Sequence, residues 1–300
     1  MNLIGKRKIW YTISLVAIVP GLISLVLFGL KLGIDFTGGS IMEVQGSASA
    51  TDITAMASKL GFQDITITNE ANGRSLVRYR DPAPTSEIEG HHQEFKADLA
   101  PLGLSEVSFE TVGPSVSHSI TRNAILAIAV ASFAIVCYIA FAFRNAPPPV
   151  SPLSFGVTAI IALLHDAFFV IGVFSILGHF AGVEVDSLFV TAVLTVIGFS
   201  VHDTIVVFDR IRENLRRQRG EFEDVVNNSI LETLARSINT SLTVLLTLLA
   251  LFLFGGESIH YFVLALLVGI ASGTYSSIFN ASPLLVTWHN YKLKHPKKKA

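Results

Sequence analysis

The chain has one cysteine, Cys137, among its 300 residues, so no disulfide can close within it and no cysteine-based metal site can be built. Charge is scarce too: Asp, Glu, Lys and Arg together make up 15%, and the formal net charge is −1. A net charge near zero gives no argument for a nucleic-acid partner, and none is expected. No glycine-rich phosphate loop, no cluster of metal-ligating residues and no nucleophile set beside a base stands out, so no cofactor, no metal and no covalent catalysis are expected.

What the chain has in abundance is apolar length. Hydrophobic residues make up 51%, and six stretches approach or exceed the ~20 residues that span a bilayer. They cover residues 9–30, 124–143, 153–177, 188–208, 230–254 and 259–286. The expected fold class is therefore a polytopic α-helical membrane protein with six transmembrane helices.

Basic residues orient it. Lys6, Arg7 and Lys8 precede the first span, Arg144 follows the second, and Arg210, Arg212, Arg216, Arg217 and Arg219 follow the fourth. Lys292, Lys294, Lys297, Lys298 and Lys299 close the sequence. All fall on one side of a six-span arrangement, the side that also holds both termini, and the positive-inside rule makes that side cytoplasmic. The opposite short loops agree: residues 178–186 carry Glu184 and Asp186, and residues 255–258 carry Glu257, with no Lys or Arg. A signal peptide would have an apolar core of about 7 to 15 residues, shorter than 9–30, so the first span is expected to remain as an anchor.

The organisation that follows is residues 1–30 as cytoplasmic N-terminus and first span, 31–120 as an extracytoplasmic domain, 121–286 as spans two to six, and 287–300 as a cytoplasmic tail. The tail's lysines are explained by topology together with attraction to anionic lipids.

The segment between the first two spans is long enough for a small globular domain. Its pattern reads strand 40–45, helix 50–60, strand 64–68, strand 75–79, helix 86–99 and strand 106–111. That order, βαββαβ, is ferredoxin-like α+β. Asn72 and Gly73 suit a turn between the central strands, Gly61 suits a helix end, and Thr51, Thr85 and Ser86 suit helix starts. His91 and His92 are neighbours on a helix and point about 100° apart, so a solvated polar face is preferred over a metal site. At the entrance to the domain lies GIDFTGG. Gly33, Asp35, Phe36, Gly38 and Gly39 form either a tight junction or a hinge there.

The membrane segments hold groups that need a reason to be there. GFSVHDTIVVFDRIREN, residues 198–214, puts His202 and Asp203 inside an apolar run. A carboxylate at the bilayer centre costs ~2.5 to 3.5 kcal/mol even on lenient scales, so such acids usually face protein or water. Asp203 lies six residues before Asp209, which is roughly 9 Å inside the cytoplasmic edge. Arg236, on the next span, comes to a similar depth, so an Asp203–Arg236 ion pair is allowed.

Arg236, Thr240, Thr243 and Thr247 recur on one face and, with Ser200 and Asp203 opposite, could line a polar path. Two readings stay open: a titrating, proton-carrying acid, or a fixed pair that joins two helices. His165 and Asp166 in the third span form a second candidate, as an extension of the path or as a structural contact. Paired membrane acids also invite an aspartyl protease, but the flanks SVHD and LLHD lack the GxGD of such enzymes. In the last span the small residues Gly269, Ala271, Ser272, Gly273, Ser276 and Ser277 permit close helix packing.

GIDFTGG after the first span, GFSVHDTIVVFDRIREN at the end of the fourth and SILETLARSINTSLT into the fifth together resemble the SecF branch of the SecD/SecF family of bacterial translocase accessory subunits. The resemblance extends over most of the chain and its order of spans. It implies half of a pump of the resistance-nodulation-division superfamily, paired with SecD. It also implies action beside the SecYEG channel in the bacterial inner membrane, using the proton-motive force to aid export of unfolded preproteins, with YajC and YidC as further partners. By position, the family's essential acid falls on Asp203, its arginine on Arg236 and its threonine on Thr240. One departure stands out: the family pattern SxND has Asn before the acid, where this chain has His202, which leaves proton and sodium coupling both open. A translocon scaffold and a small-molecule efflux subunit are the alternatives.

Overall fold

The computed structural model describes residues 1–46, 49–69, 73–84, 87–217 and 220–295. In chain order the elements are α1 (Arg7–Phe28), a one-turn helix α2 (Ile34–Thr37), β1 (Gly39–Gln45), α3 (Ala50–Lys59), β2 (Gln63–Asn69), β3 (Arg74–Arg80), α4 (Ile88–Leu99) and β4 (Ser105–Val112). Then follow α5 (Pro114–Ala142), α6 (Pro152–Ala181), α7 (Ser187–Arg217), α8 (Phe222–Phe254), α9 (His260–Ser276) and α10 (Ser282–Lys294), the last two joined by a π-helical turn, Ser277–Ala281. They divide into two compact units, Leu32–Ile125 and the remainder of the chain.

The smaller unit is the expected βαββαβ fold. Its strands form one antiparallel sheet in the order β2-β3-β1-β4. Alternation sets the core face: Met42, Val44, Val77 and Tyr79 point inward and pack with Ile53 and Ala57 of α3 and Phe95 and Leu99 of α4. α3 begins at Ala50 as expected, but Ser49 rather than Thr51 caps it, accepting from the backbone N–H of Thr51. Asn72, Thr85 and Ser86, expected at a turn and a helix start, lie outside the described residues.

Within GIDFTGG, Ile34–Thr37 close a single helical turn, and Gly38 and Gly39 take φ of 70° and 119°. A Cβ on Gly39 would stand 3.0 Å from the Tyr79 carbonyl oxygen, so both backbone angle and space call for glycine there. The two histidines part company on α4, and the solvated face expected for both does not hold for His92, which is buried. His91 Nδ1 meets Asp81 at 3.0 Å, whereas His92 Nε2 turns inward to Glu106 at 3.1 Å and stacks on Phe109.

Among the described residues, six helical stretches are long and apolar enough to cross a membrane: Ile4–Phe28, Pro114–Ala142, Pro152–Ala181, Ser187–Arg217, Phe222–Phe254 and His260–Lys294. The last continues well past residue 286, where the apolar run ends. Trp288 and Tyr291 carry the helix onward, with Asn290 bonded to Glu223 at 2.7 Å and Lys292 to Ser154 at 3.3 Å.

Small residues decide how closely these helices approach. Gly21 of α1 and Gly172 of α6 face each other, and a Cβ on either would stand under 3.0 Å from the other's Cα. Beside this crossing Ser24 and Ser175 bond at 2.9 Å. On α9, Gly269 and Gly273 lie against Val196 and Ser200 of α7, where a Cβ on Gly269 would fall 2.2 Å from a Val196 methyl.

Two predictions follow from this packing. Gly172→Val forces α1 and α6 apart and should lower stability by about 1–3 kcal/mol, read as a shift in denaturant midpoint for the purified chain. In the sheet domain, partial burial alone would raise the Glu106 carboxyl, but the Lys96 and His92 contacts outweigh it and hold the group below its ordinary range. A carboxyl lowered in the folded state stabilises above its unfolded value and loses that contribution as pH falls. Glu106→Gln should therefore flatten the domain's loss of stability as pH drops below about 4 to 5, followed through the Phe62–Tyr79 aromatic signal.

Candidate functional site

The close approach of α7 and α9 against α6 builds a polar centre around Asp166. Its carboxyl is 0% exposed. Ser200 Oγ of α7 and Ser276 Oγ of α9 each donate to Oδ2 at 2.5 Å, and Ser272 Oγ of α9 donates to Oδ1 at 2.8 Å. His165 Nδ1 lies 3.0 Å from Oδ1. Three hydroxyls on two neighbouring helices thus supply what water would supply to a free carboxylate, and no Lys or Arg among the described residues pairs with it.

Asp203 occupies a different environment. It is 2% exposed, and its protein contacts are weaker: Ser241 Oγ at 3.4 Å from Oδ2 and His202 Nδ1 at 4.0 Å from Oδ1. Ser241 in turn lies 2.6 Å from Thr274 Oγ1. His202 itself faces outward, its side chain 61% exposed. Between the two acids the hydroxyls continue: Ser277 Oγ donates to the Ser200 carbonyl at 3.0 Å and lies 2.8 Å from Thr204 Oγ1. Ser277 opens the π-helical turn, a local widening of the helix that often accompanies functional positions.

The expected partner of Asp203 is elsewhere. Arg236 lies on the exposed face of α8, and among the described residues no ion pair or hydrogen bond joins it to Asp203. Depth counting missed the level as well as the rotation: Ser241, five residues beyond Arg236 and so roughly 7.5 Å further along α8, is the residue that reaches Asp203. The buried stripe of α8 runs through Ile230, Thr233, Ser237 and Ser241, one position on from Arg236 and Thr240 and so turned by about 100°. Ser241 therefore meets Asp203 within the chain, while Arg236, Thr240, Thr243 and Thr247 line the outer face together.

Sequence reasoning placed Ser200 beside Asp203, whereas its hydroxyl goes to Asp166. It read Ser272 and Ser276 as packing residues only, and it passed over Ser241 and Thr274. The usable signal was the four-residue spacing of Ser272 and Ser276 on the face that carries Gly269 and Gly273.

The dense charge of FDRIREN serves as a joint. Arg210 bonds Glu232 of α8 and, at 2.6 Å, Glu213, while Asn214 donates to Ser229 and Glu232 at 3.0 Å. Arg212 and Arg216 donate to the Ala142 and Asn145 carbonyls at 3.1 Å, which ties the end of α5 to α7.

A bundle of membrane-length helices with two interior acids, carried on one chain with a ferredoxin-like domain, makes this a multi-pass α-helical membrane protein with a polar centre in its bundle. Residues 93–291 match the C-terminal region of the protein export membrane proteins SecD/SecF, and residues 23–50 match the SecD/SecF GG motif. The chain belongs to the SecD/SecF family.

It is 50% identical to the protein translocase subunit SecF of Thermobaculum terrenum, with 97% of this chain and 94% of that one aligned. To the SecF of Anaerolinea thermophila it is 42% identical over the same shares. The crystal structure of SecDF from Thermus thermophilus, described as translocon-associated, superposes with a TM-score of 0.81 at 33% identity, covering 97% of this chain. The chain spans 39% of the length of that SecDF.

Asp166→Leu removes the acceptor for three buried hydroxyls and should destabilise the bundle by about 3 kcal/mol or more, whereas Asp166→Asn keeps one carbonyl oxygen and should cost less. Thermal unfolding of the purified variants in one detergent measures the difference.

Proposed function

We propose that this chain is the SecF-type subunit of a SecD–SecF complex and that Asp203 carries protons through it to drive preprotein export. The observation that supports this most is a buried carboxyl that no Lys or Arg among the described residues pairs with, next to a helix whose cation and hydroxyls face outward. Arg236 with Thr240, Thr243 and Thr247 would be costly against lipid, so that face calls for a membrane partner. α7 also presents Thr191, Thr195, Gly198 and His202 in an exposed stripe of four-, three- and four-residue steps, the spacing of a helix contact. SecD is the partner of the right kind, since the relative in Bacillus subtilis and the solved Thermus protein are both named SecDF.

The basic clusters support a placement with both termini cytoplasmic, and the kinship with SecF supports the bacterial inner membrane as the site. SecYEG, unfolded preproteins, YajC and YidC complete the expected surroundings. A proton gains roughly 2.3 kcal/mol per 100 mV, enough to bias two helix arrangements against each other. The movement would pass to the ferredoxin-like domain through the junction at Gly33, Asp35, Phe36, Gly38 and Gly39, where two glycines occupy positive φ. In this cycle Asp203 gives and takes the proton, Arg236 and Thr240 move against it as the partner shifts, and His202 stands as a titratable neighbour on the exposed side. The saturated hydrogen bonding of Asp166 favours a packing role for that acid, with His165 as its close companion.

Asp203→Asn should leave assembly and membrane insertion intact and abolish the dependence of preprotein export on the proton gradient, measured in inverted vesicles that contain the whole complex. Full gradient dependence in that variant would refute the proton role. Replacing the proton gradient by a sodium gradient in the same vesicles separates the two coupling ions.

A further inference from the structure

The start of α1 and the end of α10 meet at the basic end of the membrane unit, and a cleft of about 410 Å³ opens between them. Its lining is Arg7, Thr287, Asn290, Tyr291, Leu293 and Lys294. Two cations face one small space. Glu223 offsets Arg7 in part, at 3.2 Å, and Arg7 also donates to the Ile4 carbonyl. Lys294 has no ion pair among the described residues, nor have Lys6 and Lys8 beside Arg7. The nearby Lys292 is already engaged, donating to Ser154 and lying 5.4 Å over the Trp288 ring. Local positive charge thus exceeds negative, and at the C-terminal end of α10 the orphan carbonyls call for such cations.

The apolar residues of the cleft narrow the ligand further. Tyr291 and Leu293 are 64% and 67% exposed, beside the two cations. The 22 residues of α1 rise about 33 Å, close to the hydrocarbon thickness of a bilayer, so Arg7 at its first position sits at headgroup depth. A cation pair with an exposed tyrosine and leucine at that depth matches an amphiphile that has a phosphate at one end and acyl chains alongside. The framework is rigid: Asn227 Oδ1 accepts from the Leu3 and Ile4 N–H groups, Asn290 is held by Glu223, and Thr287 meets the Tyr11 hydroxyl at 3.0 Å.

We propose that this cleft binds the headgroup of an anionic phospholipid, with Arg7 and Lys294 on the phosphate and Tyr291 and Leu293 against the glycerol and upper acyl chain. The inference rests on the membrane placement of α1 and α10 and is independent of the proton role of Asp203.

The test is retention of phosphatidylglycerol over phosphatidylcholine by the full chain taken from mixed vesicles, read by native mass spectrometry. The double variant R7Q/K294Q should retain about tenfold less phosphatidylglycerol, in keeping with roughly 1 kcal/mol per basic residue at a membrane surface and the partial offset by Glu223. R7K/K294R, which keeps both charges, should retain most of it. Thermal unfolding shows that each variant is folded. If neutralising Lys297, Lys298 and Lys299 lowers retention as much as R7Q/K294Q does, the attraction is diffuse and the site is refuted. If millimolar inorganic phosphate displaces the lipid, the cleft is a free-phosphate site and the lipid assignment is wrong.

Discussion

A carboxyl group in the middle of an apolar bundle must be given its hydrogen bonds by the protein, and the structure of the membrane unit follows from how Asp166 receives them. Ser200, Ser272 and Ser276 reach it only because Gly269 and Gly273 let α9 lie directly on α7. Any side chain larger than hydrogen at those glycines would move the serines outward and leave the acid short of donors. The centre therefore couples α6, α7 and α9 by a requirement stricter than apolar packing, since half-satisfied buried polar networks are worse than none. The Ser14–Asn280 and Ser24–Ser175 bonds extend the same principle to α1.

Asp203 is one turn of α7 away from Ser200 and is treated in the opposite way. Its contacts among the described residues are long, and the histidine before it and the arginine expected to pair with it both sit on outward surfaces. One acid is held by short hydrogen bonds and its neighbour by long ones. That contrast is the basis for proposing a structural role for Asp166 and a functional one for Asp203. FDRIREN lies just beyond and binds α5, α7 and α8 into one end, so a shift at Asp203 meets a stiff boundary on that side.

Much of this was legible before any coordinates. Apolar run lengths place six helices, and the period-two and period-3.6 patterns place the strands and helices of the domain to within a residue or two at most ends. The glycines of GIDFTGG announce the two positive-φ positions. Rotation about a helix axis was harder to read. Arg236 and Ser241 differ in which face they present, and a polar face turned outward has the same sequence pattern as one turned inward. For the same reason Ser200 could be assigned to the wrong acid, because it stands on α7 between the levels of both. Hydropathy also ended the last span at residue 286, whereas contacts made by Asn290 and Lys292 continue it.

In the proposed cycle Asp203 changes protonation while Asp166 stays fixed. Isotope-edited infrared difference spectroscopy of the reconstituted SecD–SecF complex tests this directly by following carboxylic C=O bands through pH steps. The account predicts a band that appears and disappears across the working pH range and is absent in Asp203→Asn but retained in Asp166→Asn. A band that persists unchanged in Asp203→Asn, or no carboxyl band at any pH, would contradict it.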